Sequence, residues 1–281
     1  MNYTGVGLDL QGIVKKVYYD LLYRSTFMNF LDKSYLGEVR TTGTPMIEIA
    51  VTKPVSVTTV TNKAELTSPM TPTLADYDSV KIDLTELRAN YSVSVSPRVQ
   101  NLAQAIDSQI DQEDAAIAYA IDNYGYGKLR TATNAAAWAP ETKDEYIALL
   151  NGLKAKLFNK KVYDGYKLGL EAEEYAKLVS ALVSILHFET SVGRNEVDRG
   201  VFANAFGIDI FPIASSVLNG EIGYFASEKG IVGDLFFSQF NLFNGNYNGL
   251  PGYTVIEGIV FFGAGIVLQD TVIKLQETVS A

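Results

Sequence analysis

The sequence predicts an α+β protein, in which two amphipathic helices flank an extended β arm and the second half mixes short helices with strands. Three observations carry this. Apolar residues recur at helical spacing near the N terminus and again after Ser96; β-branched residues crowd Thr44–Val60 and Tyr77–Ser96; and the chain closes on a strand-rich run from Gly252 to Gln276.

In chain order, Leu8 to Phe30 places Ile13, Val17, Leu21 and Leu22 at near-helical spacing, with Lys15, Lys16, Asp20 and Arg24 mostly elsewhere on the wheel, which predicts an N-terminal helix. Alternation in "VKIDL" and "YSVSVS" marks long strands on either side of "TNKAELTSPMTPTLAD", a polar stretch broken by Pro69 and Pro72. Two strands and a polar connection make a hairpin arm too thin to hold a core of its own. A helix start follows, with Ser96 as candidate N-cap and Pro97 in the first turn. Leu102, Ile106, Ile110, Ile117 and Ile121 form its apolar stripe, Asp107, Asp111, Glu113 and Asp114 line other faces, and Gly125 and Gly127 are expected to end it. A helix of about 27 residues would run roughly 40 Å and could serve as a spine.

Beyond Thr142 the pattern turns mixed. "TKDEYIALLNGLKAKL" reads as helix and "YKLGL" as a short strand. "EAEEYAKLVSALVSILHF" reads as a second helix with Leu178, Leu182, Ile185 and Leu186 inward. "GVFANAFGIDIF" (200–211) and "IGYFASEKGIVGDLFF" (222–237) are strand-like pieces separated by glycine turns. No repeat of fixed period appears.

Composition narrows the function. A net charge of −9 argues against a protein that holds nucleic acid by neutralising phosphates, which needs clustered Lys and Arg. The absence of cysteine removes disulfides, thiolate metal sites and cysteine nucleophiles together. The 17 tyrosines and 14 phenylalanines suit broad contact surfaces. The N terminus lacks the basic start and apolar run of a secretory signal, and the longest apolar stretch, Gly258–Leu268, is about half of what a helix needs to cross a bilayer. A soluble protein is the expectation.

Candidate chemistry is thin. His187 is the single histidine, and on an apolar helix with no cysteine or second histidine it reads as a packed residue rather than a general base or ligand. "GYGK" (125–128) lacks the spacing of a phosphate loop and reads as a glycine-capped helix end. "DQED" (111–114) could gather a hard cation, although a solvated acidic helix face explains it too. "NGNYNGLPG" (244–252) is either a ligand loop or a turn-rich connection. No catalytic, cofactor-binding or metal-ligating residue is assigned, no cofactor is expected, and the chain is expected to be catalytically silent.

The order of these parts, together with "VDRGVFANAFGIDIF", "IGYFASEKGIVGDL" and the late "FFGAGIVLQDTVIKLQ", resembles the major capsid proteins of tailed bacteriophages, the Hong Kong 97-type fold that encapsulins share. The resemblance covers nearly the whole chain. It implies that 1–43, 97–129 and 254–281 form a peripheral domain, 44–96 an extended loop overlapping a neighbouring subunit, and 130–253 an axial domain. In the same reading Gly200 and Gly207 are turn residues, with "VFANAF" and "IDIFPI" as successive strands.

The function it implies is a structural, non-enzymatic subunit that assembles with itself into hexamers and pentamers of an icosahedral shell. That shell would be built in the host cytoplasm and enclose double-stranded DNA without sequence-specific binding or a membrane. Portal, scaffold and decoration proteins would be further partners, and the predicted helix's closeness to Met1 suggests a separate scaffold or none. Some members crosslink through a lysine and an asparagine; Lys63 lies in the arm, but nothing identifies a partner for it and it is given no role. The alternatives are an encapsulin-type compartment around a cargo enzyme, an α/β enzyme, and a β-rich adhesin or carbohydrate-binding module. The missing catalytic constellations disfavour the enzyme, and the spine helix the adhesin.

Overall fold

In the computed structural model, which describes residues 10–32, 34, 36, 44–52, 77–96, 102–182, 203–247 and 250–277, the N-terminal stripe forms helix α1 (Leu10–Arg24). It buries Ile13, Val14, Val17, Tyr18 and Leu21, and a short 3-10 turn (Phe27–Phe30) follows it.

The arm begins with β1 (Met46–Thr52) paired antiparallel to β2 (Tyr77–Asp83). Residues 53–76, with Lys63 and both prolines, lie outside the described residues. The run expected as one strand from Tyr77 to Ser96 is two, because β3 (Leu87–Val95) belongs to a different sheet. Asp83 makes the break: its carboxylate accepts from the Thr85 amide (2.8 Å) and hydroxyl (2.7 Å), a local turn that competes with the extended ladder.

Helix α2 (Leu102–Leu129) spans about 42 Å at the standard rise per residue. Ile106, Ile110, Ile117 and Ile121 are buried as the stripe requires. Two expectations need correcting. The helix runs through Gly125 and Gly127 rather than ending there, and Gly125 serves close approach, since a Cβ on it would lie 2.3 Å from the Phe27 ring. Asp114 does not belong to a solvated face; it is fully buried.

Two sheets build the body. β9 (Ile231–Tyr247), β10 (Leu250–Ile266) and β3 form an antiparallel sheet in the order β3-β10-β9. The larger sheet takes β4 (Asn134–Ala137), β5 (Tyr166–Glu171), β6 (Ala203–Ala205), β7 (Ile208–Ile213), β8 (Gly223–Ser227) and β11 (Val272–Gln276), in the order β4-β11-β8-β5-β7-β6. It is parallel at β11/β4 and β5/β7. The expected boundary at 253/254 falls inside β10, whose ladder with β9 holds the two in one sheet, while β11 leaves β10 and inserts between β4 and β8.

Helices α3 (Lys143–Asn159) and α4 (Ala172–Leu182) pack a second core with Leu168, Leu170, Ile208, Ile210, Phe225 and Leu275 of the larger sheet. The main core lies among α1, α2 and the three-stranded sheet, and takes in Phe211, Ile213, Tyr224 and Val272 of the larger sheet. Thr142 starts α3 with a reciprocal capping box to Glu145, a signal written in the sequence as T-x-x-E. His187 and the expected extension of α4 to Phe188 lie outside the described residues, as does Gly200.

The β6–β7 hairpin turns at Phe206 (φ 55°) and Gly207 (φ 72°), between the paired residues Ala205 and Ile208. Two left-handed residues in a two-residue loop make a type I′ turn, whose twist matches the strands it joins. Gly207→Val is expected to cost about 2 kcal/mol, because a β-branched residue resists positive φ. Phe206→Asn should cost little or stabilise. Thermal melts of the two variants against the parent check both signs.

Candidate assembly surface

The arm is fixed to the body at its root alone among the described residues. Ile47, Ile49, Ile82 and Leu84 pack against Val232, with Val80, Phe236 and Val267 at the margin. Glycines of β10 permit the crossing: a Cβ on Gly263 would lie 2.0 Å from the Asp83 carbonyl oxygen, and one on Gly265 would lie 3.3 Å from Ile82. A spaced pair of glycines inside a strand pattern marks such a close approach, and "FFGAGIV" carried that signal unread. The opposite face of the ribbon is polar, with Glu48 paired across the strands to Lys81 (3.9 Å) and accepting from the Ser79 hydroxyl. Among the described residues β1 and β2 pair with no other strand.

The outer edge of β3 is treated differently. Its Ser92 amide donates to the Glu113 carboxylate (3.4 Å) and its Ser94 amide to the Gln109 side chain (3.1 Å), both from α2. Side chains of the spine helix thus occupy donors that an added strand would need.

The joint between helices and sheets is a polar hub beside an aromatic cluster. Asp122, buried on α2, accepts from the Ser25 hydroxyl (2.6 Å), the Phe27 amide (2.9 Å), and the Thr26 hydroxyl (3.1 Å) and amide (3.2 Å). It caps the 3-10 turn from a distant helix. Burial raises its carboxyl pKa, and these hydrogen bonds only partly oppose the shift. Next to it the Phe27 and Phe30 rings meet Tyr126 edge-on, Phe30 meets Phe211 at 4.9 Å, and Tyr126 stacks on Tyr224. Asp122→Ala would strand several donors at once, and a loss of about 2–3 kcal/mol in urea unfolding is expected.

Buried charges of the larger sheet are paired. Lys167, its side chain 5% exposed, sits 2.5 Å from Asp209 and 3.4 Å from Glu228. Asn204 donates to the other Asp209 oxygen at 2.8 Å. Glu221 is taken by Arg130 (2.9 Å) and the Asn219 amide (2.8 Å); burial pushes its pKa up, and these bonds outweigh that and hold it low.

The residues flagged for chemistry do not converge. His187 and Lys63 lie outside the described residues. "GYGK" is the last part of α2, where Lys128 pairs with Glu86 and sits 5.3 Å from the Tyr124 ring. Of "DQED", Asp111 binds Arg24 (2.8 Å), Glu113 holds β3, and Asp114 is buried. Of "NGNYNGLPG", 244–247 close β9 and 250–252 open β10, with Leu250 opposite Tyr247, while 248 and 249 lie outside the described residues. Among the described residues no three Asp, Glu or His side chains are placed to hold a metal ion, and no helix is long and apolar enough to cross a membrane.

No protein-family model matches the chain, and no curated protein matches it. Solved structures do. A chain of the capsid of Ralstonia phage GP4 superposes with a TM-score of 0.62 at 10% identity, covering 98% of this chain and 93% of that one. The capsid structure of cyanophage P-SCSP1u gives 0.56 at 14% identity, over 100% of this chain and 93% of that one. A chain from Mycobacterium phage Che8 gives 0.55 at 17% identity, over 91% and 92%. Over nearly its whole length, the chain has the α+β fold of these phage chains, the Hong Kong 97-type architecture that its order of elements implied.

Proposed function

We propose that the chain is a major capsid subunit that assembles with copies of itself, as hexamers and pentamers, into the icosahedral shell of a tailed phage. The observation that carries this is the arm ribbon, which among the described residues is seated on the body at its root and packs on no core of its own. Such an element gains order from neighbours, and modest contacts repeated by symmetry become strong. The superposition over nearly the full length of phage capsid chains supports the same reading.

In this reading α1, α2 and the three-stranded sheet form the peripheral body, with β9 included. The six-stranded sheet with α3 and α4 forms the axial body around each capsomer centre. The subunit needs no catalysis, and its acidic surface confines DNA without gripping it. The shell is the virion capsid, built in the host cytoplasm, with portal, scaffold and decoration proteins as partners.

Negative-stain microscopy of the purified protein tests the proposal. Closed, uniform shells are expected, and a monodisperse monomer under every assembly condition would overturn it. Shells filled by an enzyme instead of DNA would favour the encapsulin-type compartment.

A further inference from the structure

Asp114 differs from the other buried carboxylates. Asp122 has four donors and Glu221 has Arg130 and a backbone amide, whereas neither oxygen of Asp114 has a hydrogen-bond partner. It is 0% exposed, and the buried Tyr91 hydroxyl of β3, which pulls weakly on its carboxyl, likewise completes no hydrogen bond of normal geometry. A polar group in that position costs free energy in any protonation state and far more when charged.

The groups acting on it come from each packed element. Helix α1 contributes Lys16, Asp20 and Arg24, and β3 contributes Tyr91. On α2 itself Asp107 binds Lys16 (3.2 Å) and Asp111 binds Arg24 (2.8 Å), so both cations are already engaged, while Glu113 is held at β3. Strand β9 meets α1 through Tyr18, whose hydroxyl lies 3.5 Å from Asp234.

We propose that Asp114 is a proton-controlled latch between the N-terminal helix and the spine helix: protonated, it lets α1 lie closed on α2, and ionised, it loosens that seam. Burial, reinforced by the charge of Asp20, pushes its carboxyl up to about 7 against the pull of Arg24, Lys16 and the Tyr91 hydroxyl. The sign follows from linkage. A carboxyl whose pKa is higher in the closed state than in the open one stabilises closure fully below its ordinary value, and that contribution is lost progressively from there until pH reaches about 7, above which nothing more is lost. The latch belongs to the single chain and does not depend on shell formation.

Hydrogen exchange of α1 peptides between about pH 5.5 and about pH 8.5, corrected for intrinsic rates, reads the latch directly. Opening of α1 should grow by up to about tenfold per pH unit as pH rises to about 7 and level off above it, with α3 as an unchanging reference. Asp114→Asn, which keeps the shape and never ionises, should flatten the profile. Asp20→Asn removes the neighbouring negative charge and should move the pH at which the profile levels off, its midpoint between rise and plateau, to lower pH. A flat profile in the parent protein, a dependence that survives in Asp114→Asn, or a midpoint that fails to fall in Asp20→Asn would each overturn the proposal. Should Asp114→Asn fail to fold, the parent profile and the Asp20→Asn shift decide between the outcomes.

Discussion

Ile110→Asp should leave no folded protein to purify. Ile110 is 0% exposed in the main core, on the face of the spine helix turned toward that core. The substitution removes a branched aliphatic group and adds a carboxyl with no partner, each costing several kcal/mol against a total stability of about 5–15 kcal/mol. One turn along the same helix face lies Asp114, which already burdens this seam with an unpartnered carboxyl, so the two would repel when charged and compete for the same cations. Ile110→Val is the control and should cost about 1 kcal/mol while staying soluble. Soluble yield and circular dichroism report both; a soluble Ile110→Asp with an unchanged melt would show that the stripe is not buried.

Replacing residues 53–76 by Asn-Gly should separate folding from assembly. Thr52 and Tyr77 face each other at the end of the β1–β2 ladder, so a two-residue type I′ turn can join them without strain. The root contacts of Ile47, Ile49 and Ile82 remain, and the melting temperature should stay within about 3 °C of the parent. Closed shells should disappear, because contacts of about 2,000–5,000 Å² sustain obligate assemblies and the arm is where this chain could supply such area. Electron microscopy reads the outcome. Normal shells would count against an overlapping arm, and a collapsed monomer would assign residues 53–76 to the core.

Local chemistry was legible in the sequence. The α1 stripe and the glycine of the β6–β7 turn act within a few residues, so spacing alone reveals them; the capping box at Thr142 is as local but went unread. What depends on distant partners was not legible. The alternation from Tyr77 to Ser96 continues across the Asp83 turn, although its two halves pair with different strands. Gly125 looks like a helix stop until Phe27 is placed on it, and Asp114 looks solvent-facing until α1 and β3 cover it. The same limit governs the candidate surface. A polar arm could be inferred from composition, whereas its seat at Gly263 and the Asp122 hub required knowing which segments meet.

The side chains of Gln109 and Glu113 along β3 bear on what kind of object many copies can make. A building block that is sticky at an open strand edge adds further copies along one direction without end, and growth of that sort has no natural stopping size. With the Ser92 and Ser94 donors already occupied, this one edge resists such addition at the price of two polar side chains. In the proposed shell, association would then fall to surfaces related by rotation, where the geometry of the last subunit meets the first. On this view Gln109→Ala combined with Glu113→Ala would damage the fold little and change the product instead, from finite particles to ribbons.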